Sequence, residues 1–275
     1  MTGQAQTGLP RLVATDLDGT LVRSDGSVSA YTREVLTALE DAGTPLVFVT
    51  GRPLRWTEEV FEHVGEHGLA IVSNGALVWD VHGHRAWSER AFDREAVLAV
   101  ARAIRERVPG STFAVERTGG MALETDYVER YPVPDGSPRG ALEEIVGVAT
   151  IKLLARHEEL APQEFWDLAA DAVGGLAVVT WSSDSSLLEI SAPGVTKAST
   201  LAIVAHELGV AGSDVVAFGD MPNDLPMLEW AGTSYAVANA HPTVLAAADH
   251  VAPHHDEDGV AVTLAAIFGL APPSA

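Results

Sequence analysis

The chain of 275 residues contains no cysteine, which excludes disulfides, thiolate metal sites and every mechanism built on a cysteine nucleophile. Positive charge is scarce. Seventeen Lys and Arg residues stand against 38 Asp and Glu, a formal net charge of −21. A basic face for nucleic acid or for an anionic membrane is therefore not expected. Lysine is scarcest of all: fifteen of the basic residues are Arg, and Lys152 and Lys197 are the only lysines. Arg does not replace Lys where a compact point charge is needed, so these two positions carry more information than usual. No apolar stretch reaches the roughly 18 residues that a membrane-spanning helix requires. Met1 to Pro10 is polar and Gly-rich, without the basic start or apolar run of a signal peptide, and reads as a loose tail. The expected setting is soluble and cytoplasmic.

What is present suits a packed globular protein, with 47% apolar and 20% charged residues. The first third alternates short apolar runs with helical patterns. Leu12 to Thr15, Pro45 to Val49 and Leu69 to Val72 read as buried strands. Between them lie helices over Ser29 to Ala42, with a Ser at the start and Gly43 past the end, and over Leu54 to Val64. The rhythm returns late in the chain. Helices over Val195 to Leu208, Pro222 to Trp230, Pro242 to Ala248 and Gly259 to Phe268 alternate with strands over Asp214 to Phe218, Ser234 to Val237 and His250 to Ala252. Continuous apolar strands separated by amphipathic helices predict a parallel sheet covered on both faces.

The middle reads differently. A helix over Asp93 to Arg107 precedes two strands, Thr112 to Arg117 and Met121 to Glu124, and a Pro- and Gly-rich loop from Tyr131 to Gly140. A strand over Ala149 to Ala155, a helix over Pro162 to Val173 and strands over Leu176 to Trp181 and Ser186 to Ile190 follow. The expected fold is α/β, a Rossmann-like doubly wound parallel-sheet core with an inserted α+β cap domain. Joints near Val81 and Ser191 assign 1–81 and 191–275 to the core and 82–190 to the cap.

Ligands of open parallel sheets bind beyond the carboxyl ends of the strands. The polar residues at those ends are Asp16 and Asp18, Thr50, Asn74, and Asp220 with Asn223 and Asp224, and Lys197 starts a helix in the same half. Turn chemistry alone does not call for carboxylates at two distant strand ends.

These residues carry a resemblance. Asp16-Leu17-Asp18-Gly19-Thr20-Leu21, Thr50-Gly51-Arg52, Lys197 and Gly219-Asp220-Met221-Pro222-Asn223-Asp224 resemble, in order, the four motifs of the HAD (haloacid-dehalogenase-like) superfamily of phosphatases. The cap after the third core strand, with Ser73-Asn74-Gly75-Ala76, Leu188-Glu189-Ile190, Gly194-Val195-Thr196-Lys197 and Asp258-Gly259-Val260-Ala261, is similar to the Cof-type sugar-phosphatase branch. The resemblance covers nearly the whole chain and is weak only inside the cap.

It implies a Mg2+-dependent phosphatase of small phosphorylated metabolites, such as sugar phosphates, working through an aspartyl-phosphate. A phosphate monoester is a slowly hydrolysed dianion, so its charge must be gathered and a nucleophile placed in line. Asp16 is implied as that nucleophile and Asp18 as the general acid and base. Asp16 and Asp220, with the Asp18 backbone carbonyl, are implied as Mg2+ ligands, and Asp224 would orient metal-bound waters. Gly19 and Gly51 let backbone N–H groups approach the phosphoryl oxygens, Thr50 donates its hydroxyl, and Lys197 neutralises nucleophile and phosphate. Arg52, Asn74, Lys152 and Asn223 are the candidate substrate or phosphate contacts.

Each of the outer candidates has a plainer reading beside it. Arg52 also suits a surface salt bridge, Asn74 a turn, and Lys152 a solvated strand face. Glu189 and the Trp181 to Ser185 loop read as ordinary hairpin residues. The Tyr131 to Gly140 loop suits either the specificity surface or an unrelated surface loop. Arg102, Arg105 and Arg107 read as a solvent-exposed helix face, and His254 to Asp258 as a solvated loop rather than a metal cluster. Two alternatives to hydrolysis stand: a phosphomutase of the phosphomannomutase type, and a catalytically silent phospho-ligand sensor.

Overall fold

A strand with helices over both faces needs no polar side, so the uninterrupted apolar runs become the central strands. The computed structural model describes residues 8–64, 68–147, 149–181 and 186–271. The start of the expected tail, 1–7, and most of the Trp181 to Ser185 loop, 182–185, lie outside the described residues. In the first part of the chain run β1 (Leu12–Thr15), α1 (Ala30–Asp41), β2 (Leu46–Val49), α2 (Leu54–Val64) and β3 (Leu69–Val72), followed by β4 (Leu77–Asp80) and β5 (Arg85–Glu89). The middle holds α3 (Arg94–Arg107), β6 (Thr112–Arg117), β7 (Gly120–Glu124), β8 (Arg139–Gly140), α4 (Leu142–Ile145), β9 (Lys152–Arg156), α5 (Pro162–Val173), β10 (Val178–Thr180) and β11 (Leu187–Ser191). The chain then returns through α6 (Lys197–Glu207), β12 (Val215–Gly219), α7 (Leu225–Trp230), β13 (Thr233–Val237), α8 (Pro242–Ala247), β14 (His250–Ala252) and α9 (Gly259–Phe268).

The first sheet has the order β14-β13-β12-β1-β2-β3-β4-β5. Its first six strands in that order pair in parallel, and the β3-β4-β5 meander is antiparallel. β1 is central and wholly buried. In the register Thr15 lies opposite Phe218, so β1 and β12 end within one residue of each other and Asp16 emerges beside Asp220. The strand order reverses beside β1, with β2 and β3 on one side and β12 to β14 on the other, which makes this the crevice where such sheets receive ligands.

The hairpin of β4 and β5 departs from the expected layout. The first sheet runs on to Glu89, so the joint placed at Val81 falls inside a hairpin of that sheet. The exposed, polar run Arg85–Glu89 lacks a core-strand signature because it is an edge strand. Two smaller differences have local causes. The strand expected from Ala149 starts at Lys152, since Thr150 instead bridges Phe92 where the chain enters the second sheet. The stretch after α5 begins with a 3-10 turn over Gly174–Leu176, where two glycines delay the strand.

The second sheet, ordered β10-β11-β9-β6-β7-β8, obeys the two-residue period of strand side chains. Leu153 and Ala155 of β9, with Phe113, Val115, Leu188 and Ile190, pack on α3 and α5 as a second hydrophobic core. The alternate residues Lys152, Leu154 and Arg156 face the other way, toward a cavity between the sheets. One strand thus divides its side chains between a core and a ligand space.

Candidate active site

Segments of both sheets converge on a cavity of about 750 Å³ between the end of the first sheet and the face of the second. Asp16 leaves β1 with its backbone N–H donating to Phe218 O at 3.0 Å, which fixes the carboxylate at the sheet edge. Lys197, the first residue of α6, is 2% exposed and donates from Nζ to Asp16 Oδ1 at 2.5 Å and to Asp224 Oδ1 at 2.6 Å. Thr196 holds that helix start by accepting from Ser199 N, with the Ser199 hydroxyl accepting from Thr196 N. The other oxygen of Asp224 accepts from the backbone N–H groups of Asp220 and Met221, both at 3.1 Å. Asp224 therefore shapes the loop that carries Asp220. This bonding also makes the first turn of the expected Pro222 to Trp230 helix a 3-10 turn.

Asp16, Asp220 and Asp224 each offer a carboxylate oxygen within 4.8 Å of the others, all in buried positions. Burial pushes the Asp16 carboxyl well above its ordinary range, against the pull of Lys197, and the neighbouring carboxylates add to the rise. Asp220 is pushed up to about 7, first by burial and then by Asp224. Burial disfavours the Lys197 ammonium, yet the charges of Asp16 and Asp224 outweigh it and hold the lysine protonated above its usual range. Thr20, in the loop after β1, donates to Asp220 Oδ1 at 3.2 Å. Gly19 has φ +70°, and a Cβ there would lie 2.5 Å from Asp220 Oδ2. Only glycine brings that backbone so close to the acidic group.

Asp18 is placed differently, half exposed at the cavity mouth. Arg52 grips both of its oxygens, Nη2 to Oδ1 at 2.5 Å and Nε to Oδ2 at 2.7 Å. The salt-bridge reading of Arg52 holds, and the partly exposed bridge stands at the cavity mouth. Thr50 also lines the cavity, and its hydroxyl accepts from Arg52 N at 3.0 Å, which curls the Thr50-Gly51-Arg52 turn. Asn223 lines the cavity as well.

The second sheet supplies residues whose direction the sequence left open. Lys152 is 1% exposed and donates from Nζ to Gly51 O at 2.5 Å, so it is no solvated strand residue but a tie between the two sheets. Glu189, expected as a plain hairpin residue, lines the cavity 3.5 Å from Lys152 and accepts from Asn74 Nδ2. Asn74 is not at the cavity wall. Its amide is used on Glu189 and Thr180, and its carbonyl oxygen accepts from Asn223 Nδ2 at 3.3 Å. It serves as a latch between the sheets, from a left-handed backbone position with φ 56°. Tyr131, Pro132 and Val133 bring the Pro-rich loop to the cavity, and the Tyr131 ring packs 5.9 Å from Trp56 of α2.

Several cavity residues escaped the sequence reading: Arg55 and Trp56 on α2, Glu116 on β6, Tyr127, and Arg156 on β9. Strand alternation around Lys152 pointed to Arg156 and nothing pointed to the rest. Two stretches stay outside the cavity. Arg102, Arg105 and Arg107 are exposed as expected, with Arg105 paired to Glu124. His254, His255 and Asp256 do bring ligand atoms within 4.8 Å, closer than the solvated-loop reading implied. His255 Nδ1 lies 2.8 Å from Val22 O, and Asp256 accepts from the backbone N–H and hydroxyl of Ser24, so these groups pin the loop after β1.

Comparison with known proteins agrees with this architecture. The family model of haloacid dehalogenase-like hydrolases matches residues 13–264. The chain is 26% identical over 253 residues to 5-amino-6-(5-phospho-D-ribitylamino)uracil phosphatase YcsE of Bacillus subtilis, covering 91% of this chain and 93% of that one. It is 27% identical over 255 residues to the HMP-PP phosphatase of Cronobacter sakazakii, covering 88% and 89%. The crystal structure of SMU.1108c from Streptococcus mutans superposes with a TM-score of 0.83 at 25% identity, over 94% of this chain and 99% of that one. With a family match over most of its length and a doubly wound core carrying an inserted cap, the chain belongs to the haloacid dehalogenase-like hydrolases, in their Cof-type phosphatase branch.

Proposed function

We propose that the protein is a Mg2+-dependent phosphatase that hydrolyses sugar or polyol phosphates through a phosphoryl group carried on Asp16. One observation carries the reading: Asp16, at the end of the central strand and bound to Lys197 at 2.5 Å, opens with Asp220 onto a 750 Å³ cavity closed by the second sheet. That volume suits a small phosphorylated metabolite. The matched relatives named for phosphoribitylamino-uracil and HMP-PP hydrolysis support a substrate of this size.

The residues fit a divalent metal on charge and donor type. Three buried carboxylates face a single ammonium, which leaves two negative charges unbalanced whenever all three are ionised. All the available donors are hard oxygens, the set that Mg2+ prefers. Asp16 and Asp220 would hold the ion with the Asp18 backbone carbonyl, while Asp224 keeps the loop and Lys197 in place. A bound Mg2+ would supply the positive charge that lets a carboxylate approach an anionic phosphoryl group.

The remaining work falls to the chain itself. A carboxylate oxygen of Asp16 attacks phosphorus, and the bond from phosphorus to the ester oxygen breaks. Asp18 gives its proton to the departing oxygen, then takes a proton from the water that attacks the aspartyl-phosphate, so phosphate leaves and Asp16 is restored. Lys197 stays charged throughout and balances the phosphoryl oxygens. The Arg52 pair with Asp18 must open for this to happen, and an entering phosphate offers Arg52 a replacement acceptor of the same geometry. Lys152, Glu189 and the apolar cap residues enclose the leaving group and exclude bulk water.

The test is phosphate release from a panel of sugar, polyol and nucleotide phosphates with Mg2+ and with EDTA. Turnover is expected with metal only, and is expected to vanish in Asp16→Asn. Sustained Mg2+-dependent turnover by Asp16→Ala would remove Asp16 as nucleophile. Conversion of mannose 1-phosphate to its isomer without phosphate release would show a mutase instead.

A further inference from the structure

Arg156 ends β9 on the cavity side, four residues beyond Lys152 and on the same strand face. It is 3% exposed, yet no carboxylate among the described residues comes within ion-pair distance of it. Its guanidinium lies over the Tyr127 ring at 5.8 Å, and Nε and Nη2 are shielded from solvent with no hydrogen-bond partner. Those two nitrogens form one edge of the guanidinium, a fork suited to the paired oxygens of a carboxylate or phosphate.

The neighbouring cations are matched. Arg55 pairs with Glu116 at 2.9 Å, Lys152 lies 3.5 Å from Glu189, and Arg52 holds Asp18. Along that part of the cavity, Arg55, Lys152 and Arg156 face Glu116 and Glu189, so one positive charge is in surplus; Arg156 bonds the neutral Tyr127 hydroxyl, and its Nε–Nη2 edge has no acceptor. A guanidinium held in that state is completed by an anion arriving through the cavity.

We infer that the substrate's leaving group carries a second oxyanion, carboxylate or phosphate, that docks on Arg156. The inference rests on the phosphatase reading and narrows its substrate class. Strand geometry sets the span: four residues at about 3.3 Å each place Arg156 about 13 Å along β9 from Lys152, which itself touches the Gly51 turn. Between the two ends Leu154, Met121 and Tyr127 form an apolar wall. The ester is elongated, with its phosphate at Asp16, an uncharged middle along that wall and an anionic far end.

The test uses a matched pair of esters, ω-phosphooxyoctanoate and ω-hydroxyoctyl phosphate, in the presence of Mg2+. The wild-type protein should favour the carboxylate-ended ester by at least about tenfold in kcat/KM, with the difference in KM. In Arg156→Gln the ratio should fall to near one, and Arg156→Lys should keep part of it, since lysine retains the charge but not the fork. A wild-type ratio near one, with both esters turned over, overturns the inference and leaves the phosphatase reading standing. A preference that survives in Arg156→Gln overturns it as well. Absence of turnover for both esters and for p-nitrophenyl phosphate removes the phosphatase reading, and the inference with it. If Arg156→Gln does not fold, the wild-type ratio and Arg156→Lys decide the matter.

Discussion

Replacing Asp16 by Asn should stabilise the metal-free protein while abolishing its turnover. Asp16 is 4% exposed and shares a space no wider than 4.8 Å with two further carboxylates. At an effective dielectric of about 20, each carboxylate at that distance repels it by about 3.5 kcal/mol, and Lys197 at 2.5 Å attracts it by about 6.6 kcal/mol. The two repulsions and the one attraction nearly cancel. What decides the sign is desolvation, several kcal/mol for a buried ion, and the amide does not incur it. A gain of about 1–3 kcal/mol at pH 8 is expected, or about 2–6 °C in melting temperature for a chain of this size.

The pH dependence follows the same logic. A carboxyl raised by burial contributes stability that is present below the unfolded value and lost as pH rises through the folded one. The wild type should therefore lose stability from acid toward alkaline pH in EDTA, and the advantage of Asp16→Asn should shrink to nothing near pH 4. With Mg2+ the wild type should recover more than the variant, because the ion balances a charge that only the wild type carries. Thermal melting from about pH 4 to pH 8, with EDTA and with Mg2+, checks each part. An Asp16→Asn protein that melts below the wild type at pH 8 without metal would refute the argument from buried like charges.

Three further outcomes follow from the same geometry. Lys197→Met leaves three buried carboxylates without their counter-charge and should cost about 3–5 kcal/mol in urea unfolding, part of it restored by Mg2+; an unchanged midpoint would contradict this. Asp220, pushed up to about 7, holds its proton over part of the neutral range, so Mg2+ must displace it. Affinity measured by calorimetry should rise from pH 6 to pH 8 with proton release, and a pH-independent value would argue against Asp220 as a ligand. Gly19→Ala puts a Cβ 2.5 Å from Asp220 Oδ2 and should raise the Mg2+ concentration needed for half-maximal activity by about tenfold; an unaltered requirement would show that the loop yields freely.

Much of the architecture was legible because short-range signals and burial agree. Ser29 and Asp93 begin helices where they were expected, each accepting from a backbone N–H three residues on. The apolar runs of β1, β2 and β3 became central strands, since nothing but a doubly covered sheet can bury them. The β4–β5 hairpin was not legible as part of that sheet, because an edge strand with one exposed face carries no apolar signature. Similarly, Glu189 read as an ordinary hairpin residue, and Lys152 as either a substrate contact or a solvated strand residue, until the second sheet was turned toward the first.

Strand ends, their polar residues and the lone lysine at the start of α6 belong to the sequence, since each depends on its neighbours along the chain and on the level ends of parallel strands. With the helix–strand–strand rhythm of the middle, they gave the doubly wound core, the inserted cap and the gathering of Asp16, Thr50, Lys197 and Asp220 at one edge. Tertiary structure decided the rest. It paired Asp18 with Arg52, made Asn74 a latch, and left one edge of the Arg156 guanidinium buried without an acceptor. The last two outcomes depend on which face of the second sheet meets the core, whereas Asp18 and Arg52 meet because β1 and β2 are neighbours. A strand's alternation defines two faces equally well, and only packing against α3 and α5 chooses between them.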